Sequence, residues 1–157
     1  MTVALQSPSP VPTAIRHRRR LRLARTVVGF SVRSRLLPAG ERRRQRLRVC
    51  AAADTLTALG VRLQVFPPVT PWPRTGRFVV SDHVGRLGDL AVATAFRGAL
   101  DVDGDVICRV AVRYRVEGRP EHLTADEIPR TTAAIVAMRG LVVEVHCLPV
   151  TAPAAAG

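Results

Sequence analysis

At 157 residues the chain has room for one compact domain with a real core, and not for two. The net charge of +12 is unevenly held: residues 1–50 carry 13 arginines against Glu41 alone, whereas residues 51–157 carry 11 arginines against 11 acids. Only the N-terminal segment should therefore seek phosphates or an anionic membrane surface, and the neutral remainder carries no such instruction.

Lysine is absent, so the arginine usage reads as codon bias of a GC-rich genome and is weak evidence for nucleic acid. Cys50, Cys108 and Cys147 are odd in number and widely spaced. They indicate neither a disulfide framework nor a zinc site, and a reducing cytosol fits them best.

In chain order, residues 1–15, with Pro8, Pro10 and Pro12, read as a disordered leader and not as a secretory signal. Residues 16–60 read as a basic helical segment. Leu21, Ala24, Val28, Val32 and Leu36 recur at helical spacing with Arg25 and Arg35 among them, which predicts a basic helix lying on a surface. Pro38-Ala39-Gly40 breaks the chain, and a second helix from Glu41 to Leu59 is stopped by Gly60. The apolar stretch from Thr26 to Val32 covers roughly 10 Å as a helix, far short of a bilayer.

Residues 61–150 read as an α/β domain. A strand from Val61 to Phe66 is followed by a proline-rich loop centred on Trp72, and a strand from Arg77 to Val80 by a helix from about Leu87 to Leu100. Asp101 to Asp105 is a turn. Val106 to Val116 alternates as a strand, with Cys108, Val110, Val112 and Tyr114 on one face and Arg109, Arg113 and Arg115 on the other. Thr124 and Glu127 have capping-box spacing before a helix ending at Gly140, and Leu141 to Leu148 forms the last strand. Residues 151–157 are a disordered, Ala-rich tail.

The most informative run for chemistry is Asp82-His83-Val84-Gly85-Arg86-Leu87-Gly88-Asp89, where a strand hands over to a helix. A histidine there can take a proton from an alcohol if a carboxylate fixes its tautomer and stabilises the imidazolium. Leu59-Gly60-Val61-Arg62-Leu63, then Gly76-Arg77-Phe78-Val79-Val80-Ser81-Asp82-His83, resembles the opening block of the phospholipid/glycerol acyltransferase family. Val106 to Arg115 and Arg139 to Val145 are similar to its closing strands. The resemblance implies a truncated acyltransferase-like mixed sheet flanked by helices, preceded by basic N-terminal helices. It makes His83 the base acting on a lysophospholipid hydroxyl and Asp89 the carboxylate that orients it, with acyl-CoA or acyl carrier protein as donor and 1-acylglycerol-3-phosphate as acceptor. No cofactor or metal is implied.

Three departures from the family pattern predict impaired or absent activity. His83 and Asp89 stand six apart where the family has five, a change of roughly 100° around a helix. Asp82 replaces the usual Asn, and its charge favours the imidazolium over the free base. The family's Phe-Pro-Glu-Gly-Thr block, which holds the acceptor's phosphate, has no counterpart between Asp89 and Val106, and the central strands beside it are missing. Loss of such strands predicts uncovered edges and apolar faces.

The alternative is a non-enzymatic basic module, peripheral at the inner membrane face of the cytoplasm, that holds anionic lipid through Arg18, Arg19, Arg20, Arg42, Arg43 and Arg44. Nucleic acid is the weaker partner, because Phe30 is the one aromatic in residues 1–50. Asp101-Val102-Asp103-Gly104-Asp105 has its glycine too early for a calcium loop. Glu144 and His146 share a strand face and read as solvated groups rather than ligands, and His122 falls in a polar loop.

Overall fold

The computed structural model describes residues 11–36, 40–73, 77–82, 85–96 and 106–150. The element order is α1 (Thr13–Leu36), α2 (Glu41–Leu59), β1 (Arg62–Phe66), β2 (Arg77–Ser81), α3 (Arg86–Ala95), β3 (Val106–Val116), α4 (Thr132–Ala137) and β4 (Leu141–Cys147). The four strands form one open mixed sheet in the order β1-β4-β3-β2. β1 runs parallel to β4 and β2 parallel to β3, while β3 and β4 are antiparallel, with Val112 opposite Val145 and Arg113 opposite Glu144.

Side chains alternate across a strand, so this register sorts the residues into two unlike faces. Cys108, Val110, Val112 and Tyr114 of β3 join Leu141, Val143 and Val145 of β4 in the core. Leu56 and Leu59 of α2, Leu87 and Ala91 of α3, and Ile135 and Val136 of α4 pack on them, so all the core-forming helices lie on one side of the sheet. The opposite face carries Gln64, Arg109, Arg113, Arg115, Glu144 and His146. This face is mixed, because Phe66, Ala111 and Val142 share it with the polar residues, and Ala111 and Val142 are buried there. Ile107 and Val80 are its exposed apolar residues.

The ends of α2 follow the expected chemistry. Gly60 takes the left-handed conformation at φ 73°, and the Val61 amide donates to the Leu56 carbonyl at 3.0 Å, which closes the helix with a Schellman motif. Two helices differ from expectation. α1 begins at Thr13, inside the segment read as a leader, because the Pro12 carbonyl already accepts from the Ile15 and Arg16 amides. Thr124 and Glu127 make only half of a capping box: the Glu127 carboxylate accepts from both the Thr124 amide and its hydroxyl, but the Glu127 amide donates to the Thr124 carbonyl at 3.0 Å, which closes a turn. Pro129 follows too soon for a helix to propagate, and α4 starts instead where the Thr131 hydroxyl accepts from the Ala134 amide. α3 ends at Ala95, short of the expected Leu100, because Phe96 turns to an extended conformation as its C-cap; residues 97–100 and the turn from Asp101 to Asp105 lie outside the described residues, as do residues 1–10 and the tail from 151.

α1 buries none of its own residues, yet it is fixed to the body by Arg19. The Arg19 guanidinium donates to the carbonyls of Val136 at 3.0 Å and Met138 at 2.8 Å, satisfying the C-terminal end of α4. It passes so close to Gly60 that a Cβ there would lie 2.3 Å from Nη2. Partial burial lowers its pKa.

Candidate functional site

Three places combine exposed chemistry with a defined position in the fold. The first is the turn between β2 and α3. Ser81 ends β2, Gly85 precedes α3 with φ 95°, and Asp89 lies in the first turn of α3. The left-handed glycine sits just outside the helix, so the six-residue spacing to Asp89 is spanned partly by non-helical backbone. His83 lies outside the described residues. The Asp82 carboxylate turns toward β3, where it accepts from the Val112 amide at 2.9 Å and from Arg113 at 3.3 Å. Beneath the turn stands Tyr114, 2 % exposed, whose hydroxyl has no hydrogen-bond partner among the described residues. Burial pushes this phenol up to about 12, and the charges of Asp89 and Asp82 act in the same direction.

The second place is the α1–α2 pair. Arg18 and Arg20 on α1 and Arg43 and Arg44 on α2 are exposed, in keeping with a cationic surface, and the Arg42 side chain lies outside the described residues. Arg19 departs from that group, because its guanidinium is committed to the α4 carbonyls. Leu21, Val28, Val32 and Leu36 all face solvent, with Leu36 75 % exposed. At 100° per residue they fall on one side of α1, opposite the half-buried Arg19, Leu23, Thr26 and Phe30. Between the two helices lies a cavity of about 220 Å³ whose lining includes Arg25, Arg33 and Asp54.

The third place escaped sequence reasoning. On the uncovered sheet face, His122 Nε2 lies 3.1 Å and His146 Nε2 3.2 Å from the same Glu144 oxygen, Oε2. Arg115 donates from Nε to the other oxygen and from Nη2 to Gln64 at 3.2 Å. Glu144 is 5 % exposed although it stands on the open face, because these long side chains roof it. Burial alone would raise its carboxyl, but hydrogen bonds from Arg115, His122 and His146 and the guanidinium charge outweigh it and hold the group down at about 2. Phe66 stacks on the His146 ring, centroids 4.3 Å apart and planes within 3°.

Glu144 and His146 could be placed on one face from their spacing. His122 could not, since it arrives through an isolated antiparallel bridge between Arg115 and His122 that no local pattern announces.

Comparison with protein-family models, with curated proteins and with solved structures finds no match for the chain. Among the described residues no helix is long and apolar enough to cross a membrane.

Proposed function

We propose that the chain is an acyltransferase-like domain of phospholipid metabolism in which acyl transfer is impaired. The observation that supports this reading best is the β2–turn–α3 unit on a parallel strand pair. Asp82 directly follows β2, Gly85 precedes α3 and Asp89 lies in the first turn of that helix, in keeping with the strand-to-helix handover that the family resemblance implies. The impairment follows from the acceptor side. The family's phosphate-binding block has no counterpart, so nothing holds a lysophospholipid hydroxyl in reacting geometry, and such positioning is worth roughly 7–11 kcal/mol in favourable cases. Asp82 adds to the handicap through its negative charge beside position 83. Purified protein given lysophosphatidic acid and acyl-CoA is expected to release CoA no faster than buffer, and His83→Ala is expected to change nothing. A robust rate that His83→Ala abolishes overturns the impaired reading.

A second reading, a module that docks on anionic lipid, is favoured by one specific observation: the apolar stripe of α1 points away from the body, with Arg18, Arg25 and Arg35 set along it. A helix of this kind lies in the membrane interface, burying Leu and Val while the arginine stems extend to the headgroups. Each arginine near an anionic surface contributes about 1 kcal/mol, so replacing these three by Gln is expected to weaken binding on the order of 100-fold. In sedimentation, the wild type should follow phosphatidylserine vesicles and not phosphatidylcholine vesicles, with binding lost as salt rises. Salt-sensitive retention by RNA without vesicle binding would sink the lipid reading.

A further inference from the structure

We infer that His122, Glu144 and His146 form a binding site for a divalent transition-metal ion of the zinc class. The inference stands apart from the acyltransferase reading, because the cluster lies on the uncovered sheet face and uses none of residues 82–89. Its ground is geometric. Each of the three residues offers one ligand atom, and these atoms all lie within 4.8 Å of one another. Two ligands bonded to zinc at 2.0–2.1 Å in a tetrahedral arrangement stand roughly 3.3 Å apart. The two distances from Glu144 Oε2 to the imidazole nitrogens, 3.1 and 3.2 Å, are already close to that. Closing the set around an ion needs a small rotation of His122, the most exposed of the three, with a side chain 48 % accessible.

The surroundings are those of an oriented ligand set. Arg115 occupies Glu144 Oε1, which leaves Oε2 as a single donor aimed at both rings. Phe66 fixes the plane of His146 from β1. Such supporting contacts orient metal ligands and sharpen affinity. Two imidazoles and one carboxylate select zinc, copper, nickel or iron(II) over magnesium and calcium, which require shells of oxygen. Three protein ligands leave a fourth position, and among the described residues no helix covers this side of the sheet, so that position is open to a water or a substrate atom. Without an ion both Nε2 atoms donate to the carboxylate. On binding, each ring presents its Nε2 lone pair and carries its proton on Nδ1.

The test is titration of the full chain with Zn²⁺ by calorimetry, repeated with Co²⁺ by visible absorption. One equivalent should bind, and the Co²⁺ spectrum should lack a thiolate charge-transfer band. His122→Asn, at an exposed position where folding is not at stake, and His146→Asn should each weaken binding by at least roughly tenfold. The control variants His17→Gln and Cys50→Ser should leave it unchanged. Circular dichroism of each variant separates lost ligands from lost fold. Absence of saturable binding, wild-type affinity in both cluster variants, a thiolate band, or loss of binding in either control overturns the site.

Discussion

Replacing Trp72 by Ala is expected to destabilise the protein by about 3–5 kcal/mol. Trp72 sits in the proline-rich connection between β1 and β2, a segment that pairs with no strand, yet it is 9 % exposed and belongs to the core. Its indole Nε1 donates to the Leu148 carbonyl at 3.0 Å, beyond the end of β4, and its ring stacks on Phe96 at the C-terminal end of α3 with centroids 5.5 Å apart. One side chain therefore ties together the loop, the last strand and the helix that carries Asp89. Against a total stability of roughly 5–15 kcal/mol the loss is large, and the melting temperature should fall by about 10 °C or more. Trp72→Phe keeps most of the buried area and the stacking, and should cost about 1 kcal/mol, the net value of the hydrogen bond. Urea denaturation followed by circular dichroism measures both. Equal losses in the two variants would show that the hydrogen bond, and not the packing, holds the loop.

Tyr114→Phe should act in the opposite direction and raise stability by about 1–3 kcal/mol, the cost of a buried hydroxyl left without a partner. The same residue makes the protein sensitive to alkali. Burial holds the folded phenol up at about 12, against the ordinary 10.0 of the unfolded one. Below pH 10 both states hold the proton and stability is unaffected. Between pH 10 and 12 the unfolded chain releases it while the folded chain keeps it, so stability falls by about 1.4 kcal/mol per pH unit, roughly 2.7 kcal/mol in all. Burial also pushes the thiols of Cys108 and Cys147 up, which adds a loss of the same sign from about pH 9 in both proteins. The difference between wild type and Tyr114→Phe thus isolates the phenol. Parallel alkaline profiles would mean that the hydroxyl finds a partner in solution. Because Tyr114 is the single tyrosine of the chain, its phenolate absorbance reports the titration directly.

Much of this architecture was legible along the chain, because local chemistry decides it. The alternation from Val106 to Val116 assigned the core and solvent faces of β3 correctly, since period-two spacing leaves a strand no other choice. Gly60 ended α2 where a left-handed residue was expected. What could not be read was pairing between distant segments. Nothing local announces that β4 inserts between β1 and β3, or that His122 meets Glu144 across 22 positions. α4 was misplaced for a related reason: capping-box spacing at Thr124 competes with Pro129, and the proline prevails. Along α1 the helix itself was legible, but which side it turns to the body depends on tertiary contacts such as those of Arg19 with the α4 carbonyls.

That placement of Arg19 makes the α1–α2 pair something other than a loose appendage. Besides its packing along α2, α1 is tied through this guanidinium to the last turn of α4. From there the chain passes Gly140, at φ 67°, straight into β4, which bears Glu144 and His146. α1 and the imidazole–carboxylate cluster are thus joined by one short path along the chain, and a bulkier residue at position 60 would push Arg19 off it.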